Sequence, residues 1–380
     1  MDAAVVAGYG LKGWTAPTLS APLDQPVWEN LLSRAIAQRM TGLMARMVSD
    51  GLLPVSDDQG EALASAHLAA LARDLKVERT VLWALQHLSD AGLDHRVLKG
   101  TAVAHLDYAD PGLRSFVDAD ILVRSEEWDA AVEALLAAGA RRAFPAPRPG
   151  WERRFAKCTM LKTPAGFEID LHRTFVFGRF GITVNLDDLW ESSESFAIGG
   201  VEAKALSSEA RWMQTCFGAA VSDIPPRWVP LRDVVQLSAG GRLDLDRVAE
   251  LTQRWGAAAV IRRAVRLVAE RLPAALDADI AGWAETLTVT RSEEAAIRAH
   301  TDPGDRYVPL EISAFWAIPG LRAKLAYTGA LLWPERSFIE ERYSGRFDRF
   351  RSAFDRLAAA ALSDRSSAVK SIRRRASRDL

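Results

Sequence analysis

Cysteine is almost missing from this chain: Cys158 and Cys216 are the two in 380 residues, with no Cys-x-x-Cys pair and no companion histidine cluster. That excludes a disulfide framework and argues against a structural zinc site, leaving two reduced thiols as the expectation. Net charge is nearly absent as well, because 48 Lys plus Arg face 49 Asp plus Glu and leave −1. With no global basic field to gather nucleic acid, a nucleic-acid partner is not expected. No apolar run approaches the roughly 20 residues that span a bilayer. Met1 to Gly10 lacks the basic region and long apolar core of a signal peptide. The expectation is a cytoplasmic protein with no membrane partner.

What is present is enough apolar material, 49% of residues, to build real cores, in a chain long enough for two or three domains. Leu31, Leu32, Ile36, Met40, Leu43 and Met47 recur at helical spacing and predict one amphipathic helix from Pro26 to Gly51. A second long pattern over Glu61 to Ala91, with a break expected near Lys76-Val77, offers Leu63, Leu68, Leu71 and Leu75 to the first helix. Gly92 reads as its stop. Helical patterns return at Glu209–Val221, Leu231–Leu237, Leu245–Trp255, Ala257–Leu272, Leu310–Trp333 and Glu340–Leu362, and Trp212, Trp228 and Trp255 read as core. Arg232-Asp233 is expected to form an internal ion pair.

Between these helical regions the pattern shortens to strands. Val117 to Val123 is β-branched and apolar except for Asp118 and Asp120, which at a spacing of two share one face. Adjacent carboxylates repel, and leaving water raises that cost, so such a pair calls for a cation or a shared proton. Phe167 to His172 predicts a second short strand with Glu168, Asp170 and His172 on one face. Should the two strands pair, Asp170 joins Asp118 and Asp120. Three convergent carboxylates suit a hard ion, Mg²⁺ or alternatively Mn²⁺. Two such ions about 4 Å apart would serve phosphoryl or nucleotidyl transfer.

The surrounding segments fit a nucleotide. Arg96 to Gly100 predicts a strand running into a glycine, and Thr101 to Tyr108 a helix. Lys99, Gly100 and Thr101 thus form a strand–turn–helix start where backbone N–H groups can meet phosphate oxygens. Lys99 and Arg114 could neutralise those phosphates or simply pair with nearby carboxylates. Trp128 to Gly139 reads as a helix, Arg141 to Gly150 as a loop, and Phe155 to Leu161 as a strand that turns at Pro164-Ala165-Gly166 into the Asp170 strand.

Leu98-Lys99-Gly100, Arg114, Asp118-Ala119-Asp120-Ile121-Leu122-Val123 and Asp170-Leu171-His172 together resemble the bacterial nucleotidyltransferase-like proteins of the polymerase-β superfamily. The resemblance implies an α+β fold with a small mixed sheet flanked by N- and C-terminal helical regions. The divisions expected are a helical cap (1–94), an α/β core (95–205), a C-terminal helical domain (206–362) and a basic flexible tail (363–380). It also implies that Asp118 and Asp120 bind metal and nucleotide phosphates, and that Asp170 is third ligand or base for the acceptor. His172 would orient Asp170 or a substrate, or make a structural hydrogen bond. The superfamily's small Gly-Ser phosphate loop is absent, and Lys99-Gly100-Thr101 stands in its place. The function expected is metal-dependent transfer of a nucleotidyl or related phosphate-linked group from a nucleotide donor, a nucleoside triphosphate or a nucleotide-sugar, to a hydroxyl of an unidentified small molecule, sugar or peptide. The alternatives are a non-catalytic nucleotide- or partner-binding module, or glycosyl transfer from a nucleotide-sugar.

Overall fold

In the computed structural model, residues 2–239, 241, 243–304 and 307–343 are described. The expected tail at 363–380 and most of the expected helix Glu340–Leu362 lie outside them. A seven-stranded mixed sheet organises the chain, in the order β3-β4-β5-β2-β1-β7-β6. Its strands are β1 (His95–Val97), β2 (Ala119–Val123), β3 (Arg141–Arg142), β4 (Cys158–Lys162), β5 (Glu168–His172), β6 (Ser193–Ile198) and β7 (Val201–Leu206). β2 runs parallel to β5 and β1 parallel to β7, while the remaining neighbours are antiparallel. This is an α+β fold, a mixed sheet flanked by helices.

Alternation along the strands gives the sheet two different faces. Ile121, Val123, Ile169 and Leu171 point to one side, where Val81, Leu85 and Leu88 of helix Asp57–Asp90 and Trp128 and Leu135 of helix Trp128–Ala137 cover them. Asp120, Asp170 and His172 point to the other. There a second core joins Leu122 of the sheet to Trp28, Met44, Trp212, Phe217, Leu231 and Trp255. The three tryptophans expected in the core are there.

Several expectations change for local reasons. The single helix expected over Pro26–Gly51 is two, Gln25–Ala37 and Thr41–Ser49, because Arg39 turns the chain with a φ of +61°. Conversely, helix Asp57–Asp90 runs unbroken through Lys76-Val77, since Val77 is itself buried on its inward stripe. Its start is secured by a Ser56–Gln59 capping box with Asp57 and Asp58 in the first turn. Leu63 is buried, whereas Leu68 and Leu75, expected to pack on the first helix, face solvent. Arg141 and Arg142, expected in a loop, pair with β4. Arg232 and Asp233 do not bond to each other: Arg232 donates to the carbonyls of Ala7 and Tyr9, and Asp233 turns toward Arg114.

The N-terminal helices meet the core at a very close backbone approach. A Cβ on Gly42 would come within 2.0 Å of the Gly112 carbonyl oxygen, so helix Thr41–Ser49 starts directly against the turn before Arg114. No helix among the described residues is long and apolar enough to cross a membrane.

Candidate active site

The parallel pairing of β2 with β5 puts Asp120 directly opposite Asp170, and Leu122 opposite His172, in one register. Asp120 is buried, and its Oδ1 is the hub of the site. It accepts a hydrogen bond from the Lys99 ammonium and lies 2.7 Å from His172 Nε2, and Lys99 Nζ is also 3.3 Å from that ring nitrogen. His172 Nδ1 sits 2.8 Å from the Thr174 carbonyl, so both ring nitrogens face acceptors, the Thr174 carbonyl and the Asp120 carboxylate. Burial and the neighbouring Lys99 push His172 down to about 4, against the opposing pull of its contact with Asp120. Burial by itself would raise the Asp120 carboxyl, but Lys99 and His172 hold it well below the usual carboxylate range. Lys99 gains in return: burial opposes its charge, yet Asp120 outweighs burial and lifts it above its ordinary value.

Asp170 and Asp118 are in a different condition. Among the described residues neither carboxylate has a hydrogen-bond or ion-pair partner. Burial and the charge of Asp120 push Asp170 up to about 6. Asp118 lies in the segment just before β2 and is exposed at the rim, raised by partial burial and then by Asp120. Three candidate ligand atoms within 4.8 Å of one another come from Cys158, Asp170 and His172, not from the three aspartates. Burial pushes the Cys158 thiol up to about 11, so it stays protonated and is a poor ligand.

The strand–turn–helix start is built for placement. β1 extends through the Leu98 N–H to the Asp120 carbonyl (3.0 Å), and Lys99 then adopts a φ of +49° with its N–H bonded to Gln214 Oε1 at 2.9 Å. Such a bend in a non-glycine residue is strained, and here it sends the side chain to Asp120. Gly100 and Thr101 are buried behind it. A Cβ on Gly100 would lie 2.5 Å from Phe116 Cβ and 2.6 Å from Arg114 Nη1. The glycine therefore lets residues 114–116 press against the helix Lys99–Asp107.

Arg114 is bound to a buried carboxylate. Its Nη2 donates to Asp233 Oδ2 at 2.8 Å, and Tyr108 donates to the other oxygen of the same carboxylate at 2.8 Å, all buried. On the opposite side Ser115 Oγ and the Phe116 N–H donate to Asp74 of the long helix, at 2.8 and 3.1 Å. Two buried carboxylates from distant helices thus clamp the segment that delivers Asp118. Of the two roles the sequence left open for Arg114, the carboxylate pair is the one present here.

Two cations of the site lay outside the sequence expectations. Lys157 precedes β4, with its ammonium 4.7 Å from the centre of the Phe177 ring; burial and repulsion from Lys99 pull it below its ordinary value. Arg39 occupies the left-handed position at the end of helix Gln25–Ala37, where Met40 N–H bonds the Ala35 carbonyl (2.8 Å) and Arg39 N–H that of Ile36 (3.0 Å). Glycine is the usual residue there. Burial lowers the Arg39 guanidinium, against an attraction to Asp118.

A family model described as "Uncharacterised nucleotidyltransferase" matches residues 24–273, well over half of the chain. The chain belongs to that nucleotidyltransferase family. The matched span takes in both N-terminal helices, the whole sheet and the helices that carry Gln214 and Asp233, so the clamps described above fall within the family's own segment. A solved structure described as the crystal structure of an antigenic nucleotidyltransferase-like protein from Paracoccidioides brasiliensis aligns at 14% identity and a TM-score of 0.31, covering 52% of this chain and 94% of that one. That likeness is too partial to support any inference about activity. No curated protein matches.

Proposed function

We propose that this nucleotidyltransferase-family chain is a metal-dependent enzyme transferring a nucleotidyl group from a nucleoside triphosphate to a hydroxyl acceptor. The observation that carries the reading is the in-register pair Asp120 and Asp170, with Asp170 and Asp118 both lacking partners among the described residues. Burial, and then the charge of Asp120, push Asp170 up to about 6, so a cation placed beside these carboxylates would be favoured. This all-oxygen donor set fits Mg²⁺ or Mn²⁺, held by Asp118, Asp120 and Asp170. The ion would supply charge for the phosphates and polarise the reacting phosphorus.

The protein's own groups divide the remaining work. Asp170, titrating near neutrality, would accept the acceptor's hydroxyl proton. Lys99, Lys157 and Arg39 would neutralise phosphate oxygens. A second reading, a nucleotide-binding module without turnover, is favoured by one observation: Lys99 already supplies Asp120 with a cation.

The test is thermal unfolding with Mg²⁺ and each nucleoside triphosphate, followed by mass analysis of products. Wild-type protein should be stabilised by about 2.7 kcal/mol at a hundredfold excess of ligand over Kd, and Asp118→Ala should lose the Mg²⁺-dependent part. Stabilisation without any product would favour the binding module, and no stabilisation by any nucleotide would end both readings.

Arg39 gives a test of opposite signs. Arg39→Gly should raise stability by about 1 kcal/mol by removing the left-handed strain. It should also weaken nucleotide binding about tenfold through loss of a charged contact. Urea unfolding and calorimetric titration measure the two separately.

A further inference from the structure

Beside Asp170 lies a partly open pocket of about 590 Å³. Its walls come from parts of the chain far apart in sequence: Trp151 and Phe155 of the short helix Trp151–Phe155, Phe177, and Tyr327 of helix Leu321–Leu332. Trp151 and Tyr327 stack with ring centres 5.0 Å apart at 24°, and Phe155 meets Tyr327 edge-on at 5.1 Å. Asp170 and Lys157 are also in the lining, so the chamber touches the carboxylate to which the reading above assigns the proton transfer. Of the other acids in the lining, Glu152 is bonded to Arg142 at 2.7 Å and Glu311 accepts from the Tyr327 hydroxyl.

We propose that this chamber is the acceptor site and that its occupant is a small aromatic alcohol or phenol, an assignment that rests on the transferase reading. The volume lies within the range of pockets that enclose drug-sized molecules. A sugar would bring several hydroxyls into walls that are mostly aromatic and aliphatic, leaving them without partners. An aromatic hydroxyl compound places its ring among the aromatic side chains and presents one hydroxyl to Asp170. In the transfer, the hydroxyl proton passes to Asp170 and the oxygen bonds to the α-phosphorus. The bond from that phosphorus to the bridging oxygen breaks, and pyrophosphate leaves with the electron pair.

The test uses 2-naphthol as probe and glucose as comparison, with binding followed by calorimetry on the full chain free of metal and nucleotide. Saturable binding of 2-naphthol and none of glucose is the expected result. Trp151→Ala should bind the probe about tenfold more weakly through loss of ring contacts. Ala330→Phe, which narrows the chamber from helix Leu321–Leu332, should bind it as poorly, and urea midpoints verify that both variants are folded. With Mg²⁺ and nucleoside triphosphates, the expected product is nucleotidyl-naphthol, seen by mass. Absence of probe binding, binding unchanged in both folded variants, or transfer to glucose in preference to naphthol would overturn the assignment. Probe binding needs no nucleotide, so failure of the transferase reading shows separately, as a lack of nucleotide stabilisation.

Discussion

Arg114→Met should destabilise the protein by about 3–5 kcal/mol, the scale of removing one member of a buried ion pair. The substitution leaves the Asp233 carboxylate buried with the Tyr108 hydroxyl as its remaining partner. The penalty comes mostly from that stranded charge, so the double variant Arg114→Met/Asp233→Leu should recover much of the loss. A residue of about 1–3 kcal/mol should persist because the buried Tyr108 hydroxyl then lacks an acceptor. Urea unfolding of the two single variants and the double variant completes the cycle. The folded double variant should still bind nucleotide within a few-fold of wild type, since Asp74 continues to hold Ser115 and Phe116. An arginine bonded to phosphate would not be dispensable in this way, and a large loss of nucleotide affinity would return Arg114 to the donor site.

The contrast between Arg114 and Arg39 shows where sequence reading works and where it stops. Period-two alternation marks Asp120, Asp170 and His172 as sharing a face, and the register of two short apolar strands then brings them together. Asp118 obeys the same spacing but precedes the strand, so it arrives at the rim by way of a clamp whose carboxylates, Asp74 and Asp233, lie on helices with no local sign of their task. Arg39 is hidden for a related reason. A glycine there would have signalled the helix stop, but an arginine in a left-handed turn looks like one more residue of an amphipathic helix. Lys157 is an ordinary lysine before a strand until the fold buries it beside Lys99. Not every omission was beyond reach. Ser193–Ile198 and Val201–Leu206 alternate around Gly199-Gly200, whose φ values of +55° and +79° suit a tight hairpin turn, and that pattern is local and readable. The aromatic chamber is not, because Trp151 and Tyr327 meet only through tertiary packing.

Asp170→Asn should cut turnover by about 10²–10⁴-fold, the range for loss of a general base, while making the metal-free protein more stable. The carboxyl of Asp170 titrates at about 6 in the folded protein, above its ordinary 3.8. The folded state therefore binds more protons than the unfolded state between about pH 4 and pH 6, and stability falls as pH rises through that window. Above pH 6 the ionised group works against folding by about 2 kcal/mol, discounted for its partial contact with solvent. Asparagine removes the charge, so the variant should be the more stable protein at pH 7 without metal, and the difference should vanish near pH 4. Comparing the two proteins at each pH isolates this group from His172, which contributes in the opposite direction: lowered to about 4, it costs stability as pH falls below about 6.5. A divalent ion competes with the proton for Asp170, so Mg²⁺ affinity of the wild type should drop about tenfold per unit below pH 6, and the variant should show no such slope. An inactive variant that was less stable at pH 7, or Mg²⁺ binding indifferent to pH in the wild type, would mean that the charge of Asp170 is satisfied from within the protein and that no metal is needed beside it.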